Sequence, residues 1–310
     1  MTAEPANPTP ERSYVIVITA RDEAKYLQGT IDSIAGQTLL PVELVIVDDG
    51  SKDETGAIAD AAAAQYPWVH VVHRPDRGER KVGAGVVETF YAGYEALQTR
   101  SFAYQCKLDG DLTLPPGYFE GIVKKMEADA TLGGASGKVF NPVGEGAFKE
   151  ERIIDDMVSG AVNFWRRACW EQIGGYVRMV MWDGIAMHRA RMFGWHTRSF
   201  RDKDLEIIHH RLMGSSHKNI LHGRMRWGRG QWFMGCHPLY IIASGINRMF
   251  ERPYIVGGIC IMAGYFSSMI KGAEQYDDPE FRKYLHAWQL KRLGLAFLAP
   301  EVTPHERNAS

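Results

Sequence analysis

Uninterrupted apolar runs, each closed by a polar cluster, organise the first third of the chain. Tyr14–Thr19, Val42–Val47, Val69–His73 and Ala103–Leu108 are rich in β-branched residues and show no polar alternation. Such runs predict strands covered on both faces. Between them lie segments with helical spacing: Ala24–Gln37, with Leu27, Ile31 and Ile34 on one side, a helix reaching Gln65, and Val86–Leu97. Ser51 and Glu54 have the spacing of a capping box at the start of the second helix. Strand–helix alternation predicts a mainly parallel sheet with right-handed crossovers. Ligands of such sheets bind beyond the carboxyl ends of the strands. Polar clusters stand at those ends: Thr19-Ala20-Arg21-Asp22-Glu23, Asp48-Asp49-Gly50-Ser51 and Asp109-Gly110-Asp111.

The pattern loosens after Gly137. Ala135–Phe140, Trp195–Phe200 and Leu205–His209 read as strands, and Arg166–Ile173, Asp183–Phe193 and Asp277–Leu293 as helices, while Ile153–Val162 fits neither. Aromatic, glycine and apolar residues dominate from Met225 onward. Residues 1–12, polar and proline-containing, read as a disordered tail.

Composition narrows the possibilities. The 310 residues are 45% hydrophobic and 24% charged, a globular balance. A net charge of -1 gives no global pull on nucleic acid or anionic lipid. Four scattered cysteines form no Cys-x-x-Cys pair, which argues against a zinc site or disulfide framework and fits a reducing cytosol. Gly83-Ala84-Gly85 lacks both the third glycine and the preceding strand of a dinucleotide fingerprint. Asp109 and Asp111 flank one glycine, a spacing that aims two carboxylates at one hard divalent cation.

Ordered segments then carry a family resemblance. Val45-Ile46-Val47-Asp48-Asp49-Gly50-Ser51-Lys52-Asp53-Glu54-Thr55, Lys107-Leu108-Asp109-Gly110-Asp111, Ser159-Gly160-Ala161 to Arg167, Ile173-Gly174-Gly175-Tyr176 and Trp182-Asp183-Gly184 to Trp195 together resemble a family 2 glycosyltransferase of the GT-A fold, of the bacterial cell-surface polysaccharide class. The resemblance spans about Tyr14 to Arg211. It implies an α/β fold: a Rossmann-like, mainly parallel sheet flanked by helices, with a helical, partly apolar C-terminal extension. Its divisions are a catalytic domain at 13–215, split into nucleotide (13–111) and acceptor (112–215) halves, and an extension at 216–310. It implies a metal-dependent, inverting, hexosyltransferase-like enzyme that moves a sugar from a nucleotide-sugar, a UDP-sugar first, to a polyprenyl-linked or glycan acceptor. Asp49 would hold the base edge. Thr19, Ala20, Arg21, Glu23, Lys81 and Gly110 would line the nucleotide-sugar pocket. Asp109, Asp111 and His210 would meet Mg²⁺ or Mn²⁺, and Trp182, Arg211, Arg226 and Trp227 the acceptor or a phosphate. Asp183 would be the general base, although an Asp there also suits a helix N-cap. Ala186 stands where many relatives carry a second acid. That departure motivates the alternative of a catalytically impaired, nucleotide-sugar-binding or scaffolding relative.

The last third is basic and then apolar. Arg198, Arg201, Lys203, Arg211, Lys218, Arg224, Arg226 and Arg229 outnumber nearby acids, with Trp195, Trp227 and Trp232 between them. Phosphate groups suit this mixture better than nucleic acid. Leu239–Ile246 and Tyr254–Ile270 are apolar stretches parted by a charged break. They read either as a helical pair packed on the catalytic domain or in a homodimer interface, or as an interfacial pair on the cytoplasmic face of the inner membrane.

Overall fold

The β-branched runs become strands because each lies between two apolar layers. In the computed structural model, which describes residues 8–78, 83–144, 146–211, 220–303 and 305–307, β1 (Tyr14–Ala20) and β2 (Glu43–Asp48) pair in parallel from Val15↔Glu43 to Ala20↔Asp48. Alternate residues enter opposite cores: Ile16, Ile18, Leu44 and Ile46 one, Val15, Val17, Val45 and Val47 the other. Each fully buried aliphatic side chain is worth about 1.5–3 kcal/mol. These pairs therefore fix the register, since a one-residue slip would exchange the faces.

The remaining crossovers follow the sequence pattern. α1 is Leu27–Ala35, α2 Thr55–Gln65, β3 Val69–His73, α3 Ala84–Ala96 and β4 Tyr104–Asp109. Then come β5 (Leu112–Thr113), α4 (Tyr118–Ala128), β6 (Leu132–Gly137), β7 (Val139–Gly144), β8 (Ala147–Glu150) and β9 (Val162–Arg166). They are followed by α5 (Arg167–Ile173), α6 (Trp182–Met192), β10 (His196–Phe200) and β11 (Ile207–His209). Among the described residues the main sheet runs β10-β6-β9-β4-β1-β2-β3, and β9 alone is antiparallel to its neighbours. A smaller sheet, β5-β11-β7-β8, stands beside it.

Three local expectations change. The Ala135–Phe140 run divides: β6 ends at Gly137, and β7 begins at Val139 in the other sheet. Val162–Arg166, of which the sequence left Val162 undecided and set Arg166 at the start of a helix, is the inserted strand β9. The Ser51–Glu54 capping box does not form. Ser51 Oγ accepts from the Asp22 amide at 3.0 Å, and Asp53 Oδ1 accepts the Thr55 amide at 3.0 Å.

The C-terminal helices are α7 (Ile220–Met234), α8 (Pro238–Arg248), α9 (Val256–Ile270) and α10 (Pro279–Arg292). Ile185 and Met192 of α6 share a buried cluster with Phe233, Met234, Ile241, Tyr265, Phe281 and Leu285. α7 and α9 meet backbone to backbone: a Cβ on Gly228 would stand 2.0 Å from the Ile261 carbonyl oxygen. No helix among the described residues is long and apolar enough to cross a membrane.

Candidate active site

Each of the polar clusters ends a strand of the main sheet. At the β2 end, Asp49 is 7% exposed. Its carboxylate accepts from Arg74 at 2.8 Å and from Arg77 at 2.5 Å, and Arg21 donates to its carbonyl oxygen at 2.8 Å. Arg21 also reaches Asp76 at 2.7 Å. Gly50 allows this closeness, with φ +72° and a virtual Cβ only 2.5 Å from the Asp76 Cα. Thr19 is half-buried and Ala20 buried at the β1 end. Neither Arg74 nor Arg77 is among the residues expected here from the sequence. Lys81 lies outside the described residues.

The β4 end carries the carboxylate pair. Asp111 is 2% exposed, and Arg211 Nε donates to its Oδ2 at 2.8 Å. The same guanidinium bonds Glu23 Oε1, so Arg211 ties the β1 loop to Asp111. Gly110 sits against this group, with Ala20 and Glu23 side chains 3.6 Å from its virtual Cβ. His209 Nε2 stands 3.3 Å from Asp111 Oδ1. The small sheet makes that meeting, because β5 follows Asp111 directly and pairs His209 with Leu112. Burial works to raise the Asp111 pKa, but His209 and Arg211 together hold it well below the usual carboxylate range. Burial likewise opposes charge on His209, and Asp111 overrides it, raising the imidazole.

Asp109, Asp111 and His209 place one ligand atom each within 4.8 Å of one another. His209 Nδ1 is buried with no hydrogen-bond partner. Two carboxylates and an imidazole form a donor set suited to a divalent cation. The residue brought here is His209 and not the expected His210. Strand alternation sends His210 to the other face, where it stacks on Tyr26 at 5.3 Å and its Nε2 is 2.8 Å from Thr113 Oγ1.

A buried lysine joins this corner to the acceptor half. Lys107, 2% exposed, donates to Asp109 Oδ1 and, at 3.0 Å, to the Gly160 carbonyl. Its ammonium lies 5.5 Å from the Trp182 ring centroid. Trp182 is thus a buried wall, 8% exposed, packed edge-on to Tyr176 at 4.5 Å. Asp183 follows it. Asp183 Oδ2 would be 3.1 Å from a Cβ on Gly160, and Oδ1 accepts the Gly184 amide at 2.8 Å. Asp183 is not the N-cap: that place belongs to Met181, at φ +61°. Burial raises the Asp183 pKa above the ordinary carboxylate value. Arg226 and Trp227 stand on α7, half-buried. Trp227 lies under Arg248 at 5.7 Å, and Arg226 has no hydrogen-bond or ion-pair partner among the described residues.

A mainly parallel sheet whose strand ends gather an arginine-bound aspartate, a cluster of two carboxylates and an imidazole, and a buried carboxyl defines an α/β protein with its polar side chains collected at one edge of the sheet. The chain belongs to glycosyl transferase family 2, whose sequence model matches residues 15–187. It is 36% identical over 161 residues to glycosyltransferase GlyG of Streptococcus pneumoniae, covering 49% of this chain and 50% of that protein. It is 28% identical over 142 residues to polyprenol monophosphomannose synthase of Mycolicibacterium smegmatis, covering 46% of this chain and 50% of that one. The chain thus spans about half the length of these curated relatives. The solved mannosyltransferase PcManGT of Pyrobaculum calidifontis, in complex with GDP-Man and Mn²⁺, shares the fold with a TM-score of 0.52 at 14% identity, over 95% of this chain and 90% of that one. The fold is the GT-A glycosyltransferase fold.

Proposed function

We propose that the protein is an inverting, metal-dependent glycosyltransferase that moves a sugar from a nucleotide-sugar, a UDP-sugar first, to a polyprenyl-linked or glycan acceptor of cell-surface polysaccharide. One observation carries this reading: Lys107 bonds both Asp109 and the Gly160 carbonyl, and Asp183 lies against Gly160. The corner suited to a donor diphosphate and the candidate base are therefore neighbours through a single buried cation.

In this reading the Arg21–Asp49–Arg74–Arg77 network frames the nucleotide. Asp109, Asp111 and His209 would hold Mn²⁺ or Mg²⁺. When bound, such an ion supplies neutralising charge at the diphosphate. Asp183 takes the proton of the acceptor hydroxyl. The freed oxygen bonds to the sugar's anomeric carbon from the face opposite the leaving group, and the nucleoside diphosphate departs with the bonding electron pair. Trp182 and Lys107 keep water from the flank of Asp183 and fix its direction.

The test is donor consumption by wild type and Asp183→Asn across UDP- and GDP-sugars with Mn²⁺. Loss of turnover with donor binding retained supports the assignment; surviving turnover moves the base elsewhere. Binding with no turnover by the wild type on any acceptor extract would favour the impaired, scaffolding reading. Ala186 speaks against that alternative. It is 1% exposed in the core beside Trp182 and Met187, a packing position where an acid would be buried among apolar groups.

Exposed Leu239, Ile242, Ile246, Phe250 and Ile255 on α8 and the following turn support a peripheral membrane contact for this corner. Complete recovery of the protein in low-salt supernatant would remove that part of the proposal and leave a homodimer face to be tested by sedimentation.

A further inference from the structure

Among the described residues, no side chain holds the Asp183 carboxyl, which accepts only the adjacent Gly184 amide at 2.8 Å. Its direction is therefore set by the backbone that starts α6. Met181, the residue before Trp182, stands there in the left-handed region, at φ +61° and ψ +22°. A non-glycine residue keeps that conformation only where its surroundings fix it. The Met181 carbonyl accepts the Ile185 amide at 2.8 Å and so closes the turn that carries Asp183.

α7 supplies the surroundings. A Cβ on Gly230 would stand 2.9 Å from both Cγ and Sδ of Met181. A Cβ on Gly184 would meet Met234 Sδ at 3.2 Å. The two residues that bracket Trp182 and Asp183 thus both rest on α7. That helix has no room to retreat. Gly228 lies about 200° around it from Gly230, and a Cβ there would stand 2.0 Å from the Ile261 carbonyl oxygen of α9. A Cβ on Gly264 of α9 would in turn stand 2.1 Å from the Met225 carbonyl oxygen. One face of α7 is pressed on α9 and the other on the start of α6.

We propose that Met181 is a positioning residue for Asp183: seated in the Gly230 notch of α7, it fixes the direction in which the base meets the acceptor hydroxyl. This rests on the nucleotide-sugar reading above, which makes Asp183 the base. Met181 acts through the backbone. Any rotation at Met181 turns the first residues of α6, and with them the carboxyl whose Oδ2 would be 3.1 Å from a Cβ on Gly160. A misplacement of about 1 Å costs on the order of a hundredfold in rate. Methionine suits the task, because its unbranched thioether fills an irregular gap and competes for no hydrogen bond of the base. The packing also decides what yields under strain. α9 blocks α7, so a methyl at position 230 must displace Met181. The left-handed residue then loses its support, and the first turn of α6 follows.

The experiment compares wild type, Met181→Ala, Gly230→Ala and their double variant, then Asp183→Asn with and without Met181→Ala. Transfer to water and to p-nitrophenyl glycosides is followed on UDP- and GDP-sugars with Mn²⁺. Donor binding is followed separately by thermal shift, and folding by the melting temperature. Met181→Ala and Gly230→Ala are each expected to lose about tenfold in kcat, with the KM for donor and the donor-induced shift unchanged. The double variant should fall no lower than Met181→Ala, because Gly230→Ala acts by displacing a side chain already removed. In the Asp183→Asn background, Met181→Ala should cost nothing further. Wild-type kcat in Met181→Ala overturns the inference, whether or not Gly230→Ala folds. Losses that multiply in the double variant overturn it too, as does a KM for donor that rises as kcat falls, or a further tenfold loss in the Asp183→Asn background. Turnover that survives Asp183→Asn moves the base elsewhere and takes this inference with it. A wild type that binds a donor yet passes its sugar to no hydroxyl, water included, also overturns it and leaves donor binding standing. A wild type that binds no nucleotide-sugar fells both.

Discussion

The donor and acceptor sides of the site treat their carboxylates in opposite ways. On the donor side, Asp49 is gripped by Arg74 and Arg77, and Glu23 and Asp111 share Arg211. On the acceptor side, among the described residues, Asp183 has only the Gly184 amide on one oxygen, and the Oε2 of Glu151 has no hydrogen-bond partner. The pKa directions follow: partners hold Asp111 down, while burial lifts Asp183 and Glu151. A carboxylate locked to a guanidinium is a fixed charge that shapes a pocket. One left without a cation at hand can change its protonation during a reaction. Substitutions on the donor side should therefore be read in stability and donor affinity, and those on the acceptor side in turnover.

The largest effect should come from Asp183→Asn. Transfer is expected to fall about 10²–10⁴-fold, with the melting temperature nearly unchanged, measured by donor consumption beside thermal melting. A matching loss of donor binding would erase the contrast. Arg211→Ala attacks the other side. It removes the guanidinium that Asp111 and Glu23, both buried, share, and should lower stability by about 2 kcal/mol in denaturant titration. A neutral outcome would show that this network is not structural. Gly160→Ala sharpens the acceptor side more gently. The new methyl would sit 3.1 Å from Asp183 Oδ2, so the carboxyl must move, and about a tenfold loss in kcat is expected with folding retained.

Acidity offers a smaller test. Asp183 must be ionised to accept a proton, and its pKa is raised by burial. The acid limb of the rate profile should therefore lie above the ordinary carboxylate range and vanish with Asp183→Asn. The smallest effect concerns Glu151. An acid whose folded pKa, about 7, exceeds its unfolded value binds more protons when folded, so it costs stability as pH rises between those values. Glu151→Gln should accordingly melt slightly higher than wild type at pH 8 and equally at pH 4.

Much of the donor side is legible because long apolar strands end abruptly in Asp and Gly. β1 to β4 appear within about a residue of the expected bounds, and Asp49, Asp109 and Asp111 lie at their ends. The acceptor side is assembled by pieces too short to show periodicity. β5 has 2 residues and β11 has 3. Yet a signal for His209 was present: Leu205, Ile207 and His209, spaced by two, are all buried, and alternation excludes His210. Glu151 carried no such mark. It sits in Lys149-Glu150-Glu151-Arg152, where only the tertiary contact with Val139 turns one acid inward.

The apolar cluster that α6 shares with the C-terminal helices has a consequence for protein engineering. Because Ile185 and Met192 are buried by Phe233, Met234, Ile241 and Phe281, a chimera joined near residue 215 would lift one wall from the helix that carries Asp183. Exchange of acceptor preference between relatives should therefore move residues 182–192 together with the terminal helices as a single cassette.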